Sequence, residues 1–330
     1  MSTPHQQSPQ SLSGSPILVP LDGSVRAERS LPIARHLARC LDTPLLLARV
    51  ITPMPASIAP PYGSMPPGPM YLNMSLPPET YQNILDDERK QAETYLYAQA
   101  QALANEGPEV RAVLADGDAA SALLDICAEK QVGMVVMTSH GHTGLARFAL
   151  GSVADRLVRY SHIPVLLQRS PGDASEAGAS SSDVAASQQL DHALVPLDGS
   201  GFAEVALTVV EELANAPAIR QITLQRVLPF SADESLQTEA RSYLEARAEE
   251  LRARLASREC QVFTFLREGA SPSEKIIDQA EAEQCLVVMA THGRGGLKRL
   301  VLGSVADQVV HAGHMPVLLI RPQSDGAPPS

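Results

Sequence analysis

The chain has 330 residues, enough for two domains of ordinary size. Hydrophobic residues make up 44% but aromatics only 4%, with no Trp, so a core here is aliphatic, as suits parallel strands buried under helices. A net charge of −11 argues against duplex DNA or an anionic membrane as the main partner, because both reward basic patches.

Residues 1–13 are polar and rich in Ser, Gln and Pro, and read as a disordered start. No basic segment followed by an apolar stretch suggests a signal peptide, and no apolar run approaches the ~20 residues of a membrane span. The expectation is a cytoplasmic protein that binds neither nucleic acid nor membrane. Residues 17–24 then form a short apolar strand running into the turn Asp22-Gly23-Ser24. Residues 27–41 carry apolar side chains at helical spacing, and 44–51 read as a second strand. Residues 52–78 hold nine prolines in 27 positions, which suits an inserted loop of polyproline character. A long helical pattern over 79–105 follows, then a strand at 109–114, a helix at 118–130, a strand at 132–137, a helix at 153–161 and a strand at 164–168. The alternation predicts a parallel sheet with helices on both faces.

Residues 171–190 are rich in Ser, Ala, Gly and Asp and read as a flexible linker. Beyond it the pattern restarts, with strands at 192–196, 219–227, 261–266, 285–289 and 316–320 and helices at 234–257, 272–282 and 305–312. Residues 323–330 form a polar tail. Residues 138–169 and 290–321 align without gaps with 18 identities in 32 positions, too many for chance. The chain therefore reads as two homologous domains, 14–170 and 191–322.

Three constellations repeat. The first is a glycine loop leaving the fourth strand, Gly141-x9-Gly151-Ser152 and Gly293-x9-Gly303-Ser304. Its end lies at a helix N-terminus, where free N–H groups and the helix dipole attract anions. Ser152-x-x-Asp155 and Ser304-x-x-Asp307 also fit capping boxes, so a purely structural reading stays open beside phosphate binding. The second is Pro20-Leu21-Asp22 and Pro196-Leu197-Asp198 at the end of the first strand, where open α/β sheets bind ligands. Each Asp could accept from an adenine amino group or a ribose hydroxyl, or close an Asx-turn. The third is His140 and His292, without an evident acid–base partner, for which a structural hydrogen bond is the favoured role.

No P-loop, nucleophile elbow, zincin helix or kinase motif set is present. The four cysteines, Cys40, Cys127, Cys260 and Cys285, form no CxxC pair, and no His/Cys cluster has zinc-ligand spacing, so they read as core residues and no metal ligand is assigned.

Strand–Asp-Gly-Ser, then strand–Ser/Thr-His-Gly-x9-Gly-Ser, then Pro-Val-Leu-Leu, twice over, resembles the universal stress protein family. The resemblance implies two tandem Rossmann-like domains of the adenine nucleotide alpha hydrolase-like kind, each a five-stranded parallel sheet of order 3-2-1-4-5. It also implies docking through the fifth strands, within the chain or between chains as a homodimer. ATP-binding members carry Gly-x2-Gly-x9-Gly-Ser/Thr. Here Thr138 and Ala290 occupy the first glycine position, Gly141 and Gly293 the second, Gly151 and Gly303 the third, and Ser152 and Ser304 the hydroxyl. The resemblance implies ATP, with or without Mg²⁺, held by these residues. Around them stand Pro20, Leu21, Asp22, Pro196, Leu197 and Asp198, the flanking Met137, Met289, Val153 and Val305, and Val50 and Val227 after strand two. Ala290 is smaller than Thr138, so the second domain is expected to be the more permissive. The implied function is a nucleotide-dependent stress-response sensor or binding module with a protein partner still to be found. A slow ATPase and a nucleotide-free dimerisation scaffold are the alternatives.

Overall fold

The structure, a computed structural model, describes residues 11–52, 78–104, 107–139, 150–168, 190–255, 259–293 and 302–322. The first half runs β1 (Ile17–Pro20), α1 (Val25–Glu28), α2 (Leu31–Leu41), β2 (Leu45–Ile51), α3 (Pro78–Ala104), β3 (Val110–Asp116), α4 (Ala119–Glu129), β4 (Met134–Thr138), α5 (Ser152–Tyr160) and β5 (Val165–Gln168). The second half runs β6 (His192–Pro196), α6 (Gly201–Asn215), β7 (Gln221–Leu228), α7 (Glu234–Arg254), β8 (Gln261–Glu268), α8 (Pro272–Ala282), β9 (Leu286–Ala290), α9 (Ser304–Ala312) and β10 (Val317–Ile320).

Each half is a parallel sheet in the order 3-2-1-4-5. The fifth strands, β5 and β10, pair antiparallel with Leu318 opposite Leu166, which fuses the halves into one sheet of ten strands. Strand side chains alternate between faces, and the alternation sorts the core into two layers. Ile17, Val19, Leu45, Leu47, Met134, Val136, Leu166 and Leu318 face α2, α3, α6 and α7. Leu18, Leu46, Val135, Met137, Val165, Leu167, Val317 and Leu319 face α4, α5, α8 and α9. The helices present matching stripes, such as Leu31, Ala34, Leu37, Ala38 and Leu41 on α2. Each layer runs unbroken from one half into the other.

The course of the chain departs from the sequence reading in several places. The helix expected over 27–41 breaks into α1 and α2, because Pro32 in the first turn of α2 has no N–H to continue the ladder. The break is closed by Ser30, whose Oγ donates to the Ala27 carbonyl at 2.7 Å. The structure adds α6 between β6 and β7. Residues 11–13, read as part of a disordered start, are placed: Leu12 is buried and its N–H donates to Glu212 Oε2 of α6 at 2.6 Å. Leu190, read as linker, is buried in the core as the chain enters β6. Residues 1–10, the proline-rich stretch over 53–77, the remainder of the linker over 171–189 and the tail over 323–330 lie outside the described residues. Among the described residues, no helix is long and apolar enough to cross a membrane.

Leu166 and Leu318 are both fully buried, and they meet at the joint between the halves. Truncating either to Ala is expected to lower the unfolding free energy by about 2–5 kcal/mol. The double variant should lose less than the sum, because each single change already empties the shared contact. Urea unfolding of the four proteins measures this; full additivity would show that the two side chains do not support one another.

Candidate functional site

In an open parallel sheet, a crevice forms where the strand order reverses, because neighbouring connections leave towards opposite faces. In the second half that point lies between β6 and β9. A cleft of about 450 Å³ opens there, at the carboxyl ends of β6, β7 and β9 and the N-terminus of α9. Its lining includes Pro196, Leu197, Asp198, Val227, Met289, Ala290, His292, Gly293, Gly303, Ser304 and Val305, so the second-half residues singled out in the sequence meet in one place. Ala203, Gln225, Pro272, Ile276, Thr291 and Ala306 complete the wall, and sequence reasoning missed them. Gln225 could have been found from strand periodicity, since it lies two residues before Val227 on the same face of β7.

Asp198 closes a local turn. Its Oδ1 accepts from the Ser200 N–H at 2.9 Å and from the Ser200 hydroxyl at 2.6 Å. Ser200 Oγ accepts in turn from the Ala203 N–H and caps α6. Asp22, Ser24 and Ala27 repeat the arrangement, with the same two distances to Asp22 Oδ1. The Asx-turn reading therefore accounts for one carboxylate oxygen of each aspartate. The other oxygen of Asp198 lies so close to Gly293 that a Cβ at that position would overlap it. The second motif glycine thus lets the β9 loop close onto the Asp-Gly-Ser turn.

A polar bracket stands beneath the first-half turn, and the second half repeats its members. Arg49 stacks on Tyr95 with its guanidinium carbon 5.3 Å from the ring centre, and Tyr95 donates its hydroxyl to Glu28 Oε1 at 2.9 Å. A Cβ on Gly23 would come within 3.1 Å of Arg49 Nη1, so the turn rests on the guanidinium. In the second half, Arg226, Tyr243 and Glu204 repeat the stack and the hydroxyl bond at 5.4 and 2.9 Å. Burial, and then the bond to glutamate, hold both tyrosines well above the usual phenol range, so they remain hydroxyl donors. Repetition of Arg, Tyr and Glu in both halves was the available signal for this bracket.

The glycine loop ends differently from the capping-box expectation. The N-cap of α9 is Gly303 and that of α5 is Gly151; neither helix has a side-chain cap, and Ser304 and Ser152 are the first helical residues. Gly303 donates its N–H to the Thr291 carbonyl at 2.8 Å, as Gly151 does to Ser139. A Cβ on Gly303 would sit 3.1 Å from that carbonyl, which leaves no comfortable room for a capping serine. The aspartates act elsewhere. Asp155 pairs with Arg159 Nε at 2.8 Å, and Asp307 Oδ1 lies 3.5 Å from His311 Nδ1. By contrast, α1, α4, α6, α7 and α8 are capped by Ser24, Asp118, Ser200, Asp233 and Ser271. The first-turn N–H groups of α9 therefore meet no side-chain cap where they border the cleft.

Two buried polar atoms at this cleft are left without a hydrogen bond, His292 Nε2 and Gln225 Oε1. The other ring nitrogen of His292 lies 2.9 Å from Thr291 Oγ1, which supplies the structural bond expected of it. Gln225 Nε2 reaches the Lys275 carbonyl only at 3.4 Å. A buried unsatisfied polar atom costs about 1–3 kcal/mol, so both mark places where a ligand atom would relieve strain.

The first half positions Pro20, Leu21, Asp22, Met137, Thr138, Gly151, Ser152 and Val153 on the corresponding strand and helix ends. His140 and Gly141 lie outside the described residues. Val50 and Val227 lie inside β2 and β7, not after them. Thr138 and Ala290 are the last residues of β4 and β9 and pair with β5 and β10, so this position needs no glycine for its backbone and only its size bears on a ligand. Ala48 stands where the second half has Gln225.

The Universal stress protein family profile matches residues 15–169 and 189–321. A universal stress protein of Mycobacterium tuberculosis H37Rv is 28% identical over 320 residues, covering 92% of this chain and 96% of its own length. One from Mycolicibacterium smegmatis is 27% identical over 319 residues, covering 95% and 99%. Among solved structures, a universal stress protein from Archaeoglobus fulgidus superposes with a TM-score of 0.65 at 17% identity, over 94% of this chain and 97% of that one. A Pseudomonas aeruginosa structure described as a putative universal stress protein gives 0.58 at 17%, over 94% of each chain. The chain belongs to the universal stress protein family, with two such domains in tandem.

Proposed function

We propose that the protein is an ATP-binding module of the stress response, whose occupancy by nucleotide is the signal it passes to a protein partner. The observation that carries this reading is the second-half cleft. Its volume falls within the ~300–1,000 Å³ of small-molecule sites, an uncapped helix N-terminus stands at one side, and unpartnered buried polar atoms stand in its wall.

The residues present fit an adenine nucleotide. Main-chain N–H groups at Ser304, Val305 and Ala306, with the Ser304 hydroxyl, suit the phosphates. The apolar walls from Val227, Met289 and Ile276 suit a base, and the Gln225 amide suits the amino edge of adenine, as glutamine commonly does. The second oxygen of Asp198 lies beside Gly293, where it suits the ribose or the base. The first half offers Asp22, Val50, Gly151 and Ser152 for the same roles, but Ala48 and Thr138 in place of Gln225 and Ala290, so the second cleft is the stronger binder. Mg²⁺ would accompany the phosphates. Among the described residues, Asp198 is the one carboxylate lining the cleft, and its Oδ1 is already engaged by Ser200, so hydrolysis is slow. The cytoplasm and a homodimeric assembly belong to the same proposal.

A ligand that binds only the folded state raises stability by about 2.7 kcal/mol at 100 times its Kd. ATP should therefore raise the melting temperature of the wild type. Gly303→Glu, which sets a carboxylate at the cradle, should remove most of that shift while the protein without ATP keeps its circular dichroism. An undiminished shift in Gly303→Glu would place the nucleotide elsewhere.

Gln225→Leu removes an amide while keeping the wall filled. ATP affinity should fall about tenfold, the size of one buried hydrogen bond, and the preference for ATP over GTP should narrow. Equal titration curves for the two proteins would show that Gln225 does not read the base.

A further inference from the structure

At the opposite end of the second half from the cleft, three side chains of different chemistry converge. His192 opens β6, Glu283 follows the last turn of α8, and Cys285 directly precedes β9. One donor atom from each lies within 4.8 Å of the other two. His192 Nδ1 is 3.3 Å from Glu283 Oε2. That is already about the separation of two ligands on one tetrahedral ion with bonds of about 2.0–2.2 Å.

The surroundings hold this arrangement. The far ring nitrogen, His192 Nε2, lies 2.9 Å from Thr223 Oγ1 and 3.3 Å from the Gln221 side-chain nitrogen; with its proton donated to the nearer Thr223 oxygen, the Nδ1 lone pair turns towards Glu283 and Cys285. Gln279 Nε2 donates to Glu283 Oε1, which leaves Oε2 towards His192. Gln284 between the two ligands adopts a left-handed backbone, φ 50°, which brings residues 283 and 285 back towards one centre. His192 and Glu283 keep 13% and 34% of their side-chain surface, so an ion and one water could enter, while Cys285 is buried.

The first half makes the same turn without the chemistry. Gln131 has φ 51°, and the N–H groups of Val132 and Cys285 both return to the preceding helix, at the Cys127 and Ala280 carbonyls. The corresponding residues are Pro16, Lys130 and Val132, none of which pairs with the others as a ligand set. The fold thus needs none of the three second-half side chains at these places.

We infer that His192, Glu283 and Cys285 form a binding site for a borderline divalent cation, zinc in the first place, with water as the fourth ligand. A nitrogen, a sulfur and a carboxylate oxygen suit zinc over the hard cations that prefer all-oxygen shells. On binding, the Cys285 thiol gives its proton to solvent as the metal–sulfur bond forms, and no redox change occurs. The ion would tie the start of β6 to the end of α8 and the start of β9.

Cobalt(II) titration of the metal-free full chain tests the site, because cobalt reports a thiolate ligand through a sulfur-to-metal charge-transfer absorption. The expected result is a band that saturates at one cobalt per chain and is bleached by added Zn²⁺. Cys285→Ser should lose the band. His192→Gln and Glu283→Gln, at less buried positions, should keep the fold and weaken cobalt binding at least tenfold, and Cys40→Ser should match the wild type. Absence of a thiolate band in the folded wild type would overturn the site, as would a band that survives in Cys285→Ser or binding unchanged in both Gln variants.

Discussion

The antiparallel pairing of β5 with β10 is the constraint on which the rest of the molecule depends. Every other strand pair is parallel and needs a long crossover, which is why each half is a unit of alternating strands and helices. The single antiparallel step lets the second unit join edge to edge, so two strand edges that would face solvent become the middle of the sheet. It also brings the last helix of each half within reach of the other half. The Leu150 N–H reaches His311 Nε2 of α9 at 3.4 Å, and Arg321 donates to the Arg159 carbonyl at the end of α5 at 2.9 Å. The last helix of each half is thus bonded to a residue of the other half across the joint.

Within that frame, the site is built by close approach more than by charge. Gly293 lets the loop after β9 settle on Asp198, and Gly303 lets the start of α9 settle on Thr291. An added carbon would overlap the Asp198 carboxylate at Gly293, and at Gly303 it would press on the Thr291 carbonyl by a few tenths of an ångström. The consequence is a helix N-terminus presented to a cleft without the serine or aspartate cap used by most other helices here. The Arg–Tyr–Glu bracket under the Asp22-Gly23-Ser24 turn, whose members the second half repeats, adds rigidity from behind; in the second half Arg226 is buried and Tyr243 half-buried.

Much of this was legible in the sequence. Apolar strands separated by helical stripes, repeated with matching glycines, were enough for the alternating parallel fold and the tandem repeat, while the strand order and the full set of second-half site residues came from the resemblance to the family. The misses have physical causes. The capping box failed because Ser304-x-x-Asp307 has the right spacing, but a backbone bond from Gly303 to Thr291 moves the cap one residue earlier. Gln225 was hidden because one polar residue in a buried strand is unremarkable until its neighbours leave its carbonyl unpaired. The His192, Glu283 and Cys285 cluster has no zinc spacing in the chain, since it is assembled by pairing β6 beside β9. Leu12 and Leu190 were assigned by the polar company they keep in the sequence, although one leucine suffices to anchor a segment to the core.

The central claim is that the cleft at the end of β6 and β9 is a nucleotide site. The most direct measurement is chromatography of the small molecules released when the purified, folded protein is denatured after exposure to ATP and removal of the excess. The account predicts adenine nucleotide at close to one per chain or above, falling sharply in the Gly303→Glu variant. Wild-type protein that releases no nucleotide, and that ATP leaves unchanged in melting temperature, would contradict it.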